Sequence, residues 1–150
     1  MLSITVTTNG ELDANAHSSD PTQYDNTDLT EGAAARYITR RVTLAEGFES
    51  VNFKVLMSVN KPSNATVQVF IKASGIEDDT PFEEVTYTQL TANSTIPDSA
   101  NDYDFSDVTF SLDSNFDSPI KTFSVKICLY SDSSSKIPSI RDFRAIALAT

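Results

Sequence analysis

Histidine and cysteine are almost missing from this chain of 150 residues. His17 and Cys128 stand alone and far apart. A zinc site draws on several such ligands at close spacing, so zinc is excluded. One cysteine cannot form an intrachain disulfide. Cys128 sits in an apolar run and reads as a buried, reduced thiol, which suits a reducing compartment. Only four glycines are present, and none builds a glycine-rich phosphate loop. Basic side chains are scarce: 11 Lys and Arg face 21 Asp and Glu, for a net charge of −10. That balance excludes a nucleic-acid footprint and docking on anionic lipid, and it favours solubility. No apolar run approaches the ~18 residues that span a bilayer. The opening Met1-Leu2-Ser3-Ile4-Thr5-Val6 has no basic region and no long apolar core, so no signal peptide is expected. His17 lies in the polar run His17-Ser18-Ser19-Asp20, where nothing rigid holds a catalytic triad.

What is abundant is alternation. Val51, Phe53, Val55, Met57 and Val59 occupy every second position, as do Val67, Val69, Ile71 and Ala73, and again Phe123, Val125, Ile127 and Leu129. A period of two puts one side of each strand into a core. Tyr103 and Phe105 share one phase, while Val108, Phe110 and Leu112 share the other, so a bulge or bend is expected at Ser106-Asp107. Further strands are expected over 2–8, 37–44, 85–90 and 140–148. Residues 60–64 (NKPSN) read as a hairpin connection, and 77–81 (EDDTP), 113–119 (DSNFDSP) and 131–136 (SDSSSK) as polar turns. About eight short strands and no long helix predict an all-β fold, an antiparallel sandwich of jelly-roll type. Its core is expected at Phe53, Val55, Met57, Val67, Val69, Ile71, Phe110, Phe123, Val125, Ile127 and Leu129.

Residues 1–35 read as a first strand and a long arm, and residues 36–150 as the sandwich. The stretch 9–35 is polar and almost free of apolar anchors. A loop of that length is uncommon inside a compact domain, so it is expected either to lie against a partner subunit or to wrap its own sandwich. The alternating Leu2, Ile4 and Val6 could add a strand to a neighbour's sheet, and Tyr24 offers the arm an aromatic contact.

Chemistry is sparse in what remains. Asp113-Ser114-Asn115-Phe116-Asp117 begins like a calcium loop, but Ser118 and Ser124 stand where its glycine and its bidentate glutamate belong. A turn is the simpler reading, and no cofactor or metal is expected. Asp78, Asp79, Glu83 and Glu84 crowd one loop rather than two walls of a cleft. Tyr24, Phe82, Tyr87, Tyr103 and Phe116 lie in or near loops, suited to capping the core, to protein interfaces or to stacking on a sugar. All five arginines fall in the first long strand region or the last: Arg36, Arg40, Arg41, Arg141 and Arg144. Arg40 and Arg144 interrupt apolar rows, so each must reach the surface or a carboxylate. Either an internal ion pair or a clamp on an acidic neighbour fits.

Several segments together carry a family resemblance. Residues 36–48 (RYITRRVTLAEGF), the run 51–59, the turn at Pro62, residues 67–72 (VQVFIK), and Phe82-Glu83-Glu84 before Tyr87 form one series. Residues 123–130 (FSVKICLY) and 136–148 (KIPSIRDFRAIAL) close it, and 12–15 (LDAN) and 20–24 (DPTQY) approach it. The series resembles a β-domain of virion structural proteins in contractile-tailed bacteriophages, especially those of cyanobacteria, and fades over 91–102. The resemblance implies a non-enzymatic baseplate, tail or neck component, assembled in the host cytoplasm. Its partners would be other virion proteins or copies of itself, with no nucleic acid and no membrane. The alternative expectation is a carbohydrate- or receptor-binding module that takes a surface glycan.

Overall fold

The computed structural model describes residues 3–5, 33–113, 116–133 and 135–149. Leu2, Val6, Tyr24 and residues 9–32 of the expected arm lie outside the described residues. The fold is all-β and every pairing is antiparallel. Nine strands follow in order: β1 (Ser3–Thr5), β2 (Ala33–Ile38), β3 (Val42–Thr43), β4 (Ser50–Asn60), β5 (Ala65–Gly75), β6 (Thr88–Ala92), β7 (Ser106–Ser111), β8 (Ile120–Ser131) and β9 (Ser139–Ala149). Among the described residues a 3-10 turn, Phe82–Glu84, precedes β6. No helix of the described residues is long and apolar enough to cross a membrane.

The strands join edge to edge in the order β1-β2-β8-β5-β6-β7-β4-β9, and a bridge from Ser50 to Ile120 returns β4 to β8. Strands β8, β5, β6, β7 and β4 therefore close a ring of five. One sheet folded onto itself takes the place of the two separate sheets expected from the sequence. The turn at residues 60–64 also departs from expectation. Strands β4 and β5 do not pair; β4 bonds to β7, β8 and β9, and β5 to β6 and β8. Both strands carry a strong apolar row, and both rows enter the same core. The turn, with Asn64 at φ 60°, carries the chain from one part of the sheet to another. Asparagine tolerates that left-handed backbone better than most residues.

Alternation decides what is buried. Phe53, Val55, Met57 and Val59 of β4 meet Val67, Val69 and Ile71 of β5, Val108 and Phe110 of β7, and Ile120, Phe123, Val125 and Ile127 of β8. All but one of the expected core residues are buried; Leu129 is half-buried and packs against them. Phe53 and Phe123 meet edge to face at 4.7 Å between centroids. The phase slip near Ser106 marks the end of a loop, because β7 starts there and residues 103–105 precede it.

The expected strand over 37–44 is broken into β2 and β3. The chain stays attached to β8 across the break. Thr39 N donates to Val125 O at 2.9 Å, Val125 N donates to Thr39 Oγ1 at 2.9 Å, and Ser124 Oγ donates to Thr39 O at 2.9 Å. Strand β1 pairs with β2 of its own chain, Ile4 opposite Tyr37. The expected boundary between arm and sandwich, at 35/36, falls inside β2.

Phe53 is wholly buried. Phe53→Ala is expected to lower the unfolding free energy by about 3–5 kcal/mol. Val42→Ala, at an exposed position, should change it by less than about 0.5 kcal/mol. Denaturant titration of both variants checks the pair.

Candidate interaction surface

The outward side of β5, β8 and β2 is not a free surface. Phe70, Lys126 and Cys128 are fully buried there, and Lys72, Tyr87 and Arg36 nearly so. The register explains the grouping. Lys126 stands opposite Phe70 on β5 and Ile38 on β2, while Cys128 stands opposite Gln68 and Arg36. The segment containing the 3-10 turn then folds over this row. The Lys126 ammonium lies 4.1 Å from the Tyr87 ring centre and 5.4 Å from that of Phe70. Lys72 lies 4.7 Å from Tyr87 and 5.5 Å from Phe82. Arg41 reaches the same cluster, 5.1 Å above Phe82 and 3.4 Å from Glu83 Oε1. Cations over aromatic faces are attracted by the ring quadrupole, so long side chains here serve as packing as well as charge. Phe82 and Tyr87, two of the loop aromatics, thus cap a second, smaller core.

The arginines are not brought together. Arg36 is buried in that second core, and Arg41 lies at its rim. Arg40 is exposed between β2 and β3. Arg141 and Arg144 stand on β9, which pairs with β4. The Arg141 guanidinium covers the Phe105 ring at 3.9 Å, with its Nε 3.8 Å from the neighbouring Asp142. Arg40 and Arg144 form no ion pair among the described residues.

Strand β9 has the features of an interaction edge. It bonds to β4 along its length, and among the described residues no strand bonds to its other edge. Its first half is guarded. Pro138 precedes it, and at Asp142 (φ 55°) one extra residue bulges between the pairs Ser58–Arg141 and Leu56–Arg144. Bulges, prolines and charges are the usual means of stopping a further strand from adding. Beyond Arg144 the sequence is Ala-Ile-Ala-Leu-Ala, with no charge or proline, and the pairing with β4 is regular from Arg144 to Leu148 before it shifts between Asn52–Leu148 and Ser50–Ala149. Ile146 and Leu148 there are 40% and 36% exposed, on the row opposite Lys54 and Asn52. A polar cleft of about 280 Å³ lies beside Asp142 and Arg144 of β9, and it is lined also by Ser58 and Asp107, whose Oγ and Oδ1 are 2.5 Å apart.

A second cleft, of about 450 Å³, opens on the seam where β2 and β8 face β9. Ile127, Leu129, Ile140 and Phe143 give it an apolar lining. Tyr37 and Phe143 meet across it edge to face at 5.8 Å. The Tyr37 hydroxyl is enclosed and has no hydrogen-bond partner among the described residues. Burial pushes its pKa above the ordinary tyrosine value. The exposed Glu49 carboxyl shifts the other way, lowered by the backbone N–H groups of Glu49 and Gly47. No group of three or more His, Cys, Asp or Glu side chains among the described residues is placed to hold a metal ion. Residues 114 and 115 of the calcium-like stretch lie outside the described residues.

The chain matches no family model, no curated protein and no solved structure.

Tyr37→Phe removes a buried donor that lacks an acceptor, and it should raise stability at neutral pH by about 1 kcal/mol. With a raised folded-state pKa, the neutral phenol contributes stability below the unfolded pKa of about 10. That stability is lost as pH climbs through the folded value. Denaturant midpoints on either side of pH ~10 should therefore fall less in Tyr37→Phe than in the parent chain.

Proposed function

We propose that this chain is a non-enzymatic interaction module of a tailed-phage virion, in the baseplate, tail or neck, that works by subunit assembly. The observation that carries the assembly reading is the open second half of β9, where free backbone groups lie beside the exposed Ile146 and Leu148. An unguarded edge of this kind is a template for an added strand, from another copy or from a different virion protein. Main-chain bonds would supply affinity, and the apolar row would set the register. Arg144 and Arg141, at the guarded end, would fix orientation against a carboxylate.

The placement in a phage particle rests on the sequence resemblance, carried above all by residues 36–48, 51–59, 67–72, 123–130 and 136–148. A buried free thiol at Cys128 suits assembly in the host cytoplasm. In this reading the ring is flattened into a jelly-roll-like sandwich, with β1 and β9 at its open ends. A glycan-binding role is the second reading, favoured by the exposure of Tyr103 at the other end of β4.

Light scattering of the purified chain tests the assembly reading. The parent chain should have a discrete oligomeric mass, and the double variant Ile146→Lys, Leu148→Lys should be monomeric with an unchanged unfolding midpoint. Burying the remaining exposed area of the two side chains is worth about 1–2 kcal/mol, on the order of tenfold in association, before the added charges act. An oligomer untouched by the substitutions would contradict the edge assignment. A monomeric parent would contradict self-assembly.

A further inference from the structure

We infer that the loop carrying Tyr103 is a binding site for a neutral saccharide. Tyr103 is 90% exposed, more than any other large apolar side chain of the described residues. The backbone beneath it is nonetheless tightly held. Buried Asn60, at the end of β4, donates through Nδ2 to the carbonyl oxygens of Asn101 and Asp104 at 2.7 and 2.8 Å. Tyr103 N donates to Asn101 Oδ1 at 2.9 Å, and Ala100 N to Asp104 Oδ2 at 2.8 Å. At the loop's start, Ser99 N donates to Lys61 O at 2.7 Å, and Lys61 pairs with Asp98. An ordered loop that holds an aromatic ring in water gives up the 1.5–3 kcal/mol or so that burying such a side chain would return. The ring therefore contributes little to the chain's own stability. It is positioned in advance, which lowers the entropy lost on binding.

The chemistry around the rest of the loop selects the ligand. A cleft of about 220 Å³ opens next to the loop, lined by Ser63, Asn101, Asp102 and Lys136 among others. Asn101 Nδ2, the Lys136 ammonium and the serine hydroxyls are donors, and the Asp102 carboxylate is an acceptor. A sugar ring has an apolar C–H face for the tyrosine and hydroxyls that both donate and accept for the cleft. Asp98, Asp102 and Asp104 make the loop acidic, which disfavours anionic sugars and nucleic acid. The site stands at the Asn60 end of β4, while Ile146 and Leu148 lie against Lys54 and Asn52. It is thus independent of the assembly edge.

The test is a two-dimensional amide NMR titration of the full chain with maltose, cellobiose, lactose and chitobiose. At least one sugar should shift the amides of residues 99–104 and 135–137 with a dissociation constant in the range of about 0.1–10 mM. Tyr103→Ala should weaken that binding at least about tenfold and leave the unfolding midpoint unchanged. Asp102→Asn should weaken it while keeping the loop's shifts native. Absence of shifts with all four sugars overturns the inference, as does binding that maps elsewhere or survives Tyr103→Ala. A lysine-rich peptide that shifts the loop where no sugar does would also overturn it, in favour of a protein ligand.

Discussion

Strand β8 is the constraint on which the other strands depend. It is the longest strand, and residues 123 to 128 are buried without interruption. Both of its edges are occupied: β5 along its length on one side, and β2, Thr39, β3 and Ser50 in succession on the other. A strand buried on both faces needs two covers. The inner row, Phe123, Val125 and Ile127, is covered by β4 and the rest of the ring. The outer row, Lys126 and Cys128, is covered by Phe70, Tyr87 and their neighbours. The ring closes where β8 begins. There Ser50 Oγ sits 2.6 and 2.7 Å from the carbonyl oxygens of Asn52 and Leu148, joining the corner of β4 to β9.

Among the described residues this arrangement leaves two terminal strands, β1 and β9, and the longer open edge is that of β9. Strands β2 and β3, with Thr39, Leu44 and Ser50, all bond to β8, so this part of the chain is committed to its edge. Among the described residues strand β9 bonds to no strand but β4. The bulge at Asp142 ends its guarded part, and from Arg144 to Leu148 the pairing with β4 keeps a regular register. Edge, apolar row and arginines thus follow from one topological fact, that β9 is last in the strand order. The Tyr103 loop has a different origin. It is anchored through Asn60 at the far end of β4, so a second binding surface can exist without disturbing the first.

Much of this was legible in the sequence, and the gaps have physical causes. The rows Phe53–Val55–Met57 and Phe123–Val125–Ile127 gave both strands and core, since a period of two leaves few alternatives. Closure was not legible, because a single bridge from Ser50 to Ile120 has no signature in either segment. The turn at 60–64 looked like a hairpin since turn chemistry specifies a reversal and not which edge the next strand finds. The second core was hidden by its lysines. By alternation Lys72 and Lys126 fall on the side away from the main core, and the apolar Phe70, Cys128 and Tyr130 in the same phase are the signal that this side is covered too. Arg36 was misleading for the same reason: a charge in an alternating strand signals a face and not what covers it. The openness of β9 was half legible, since its apolar row is plain in the sequence but its place at the end of the sheet is not.

Amide hydrogen exchange along β9 is the most direct measurement of the central claim, that β9 ends in an edge built to receive another strand. On an edge strand alternate amides point away from the sheet and are unprotected. The account predicts that alternate amides between residues 144 and 149 exchange fast in dilute protein and become protected as association is driven by concentration. Amides already protected in the dilute monomer, or fast at every concentration, would contradict it.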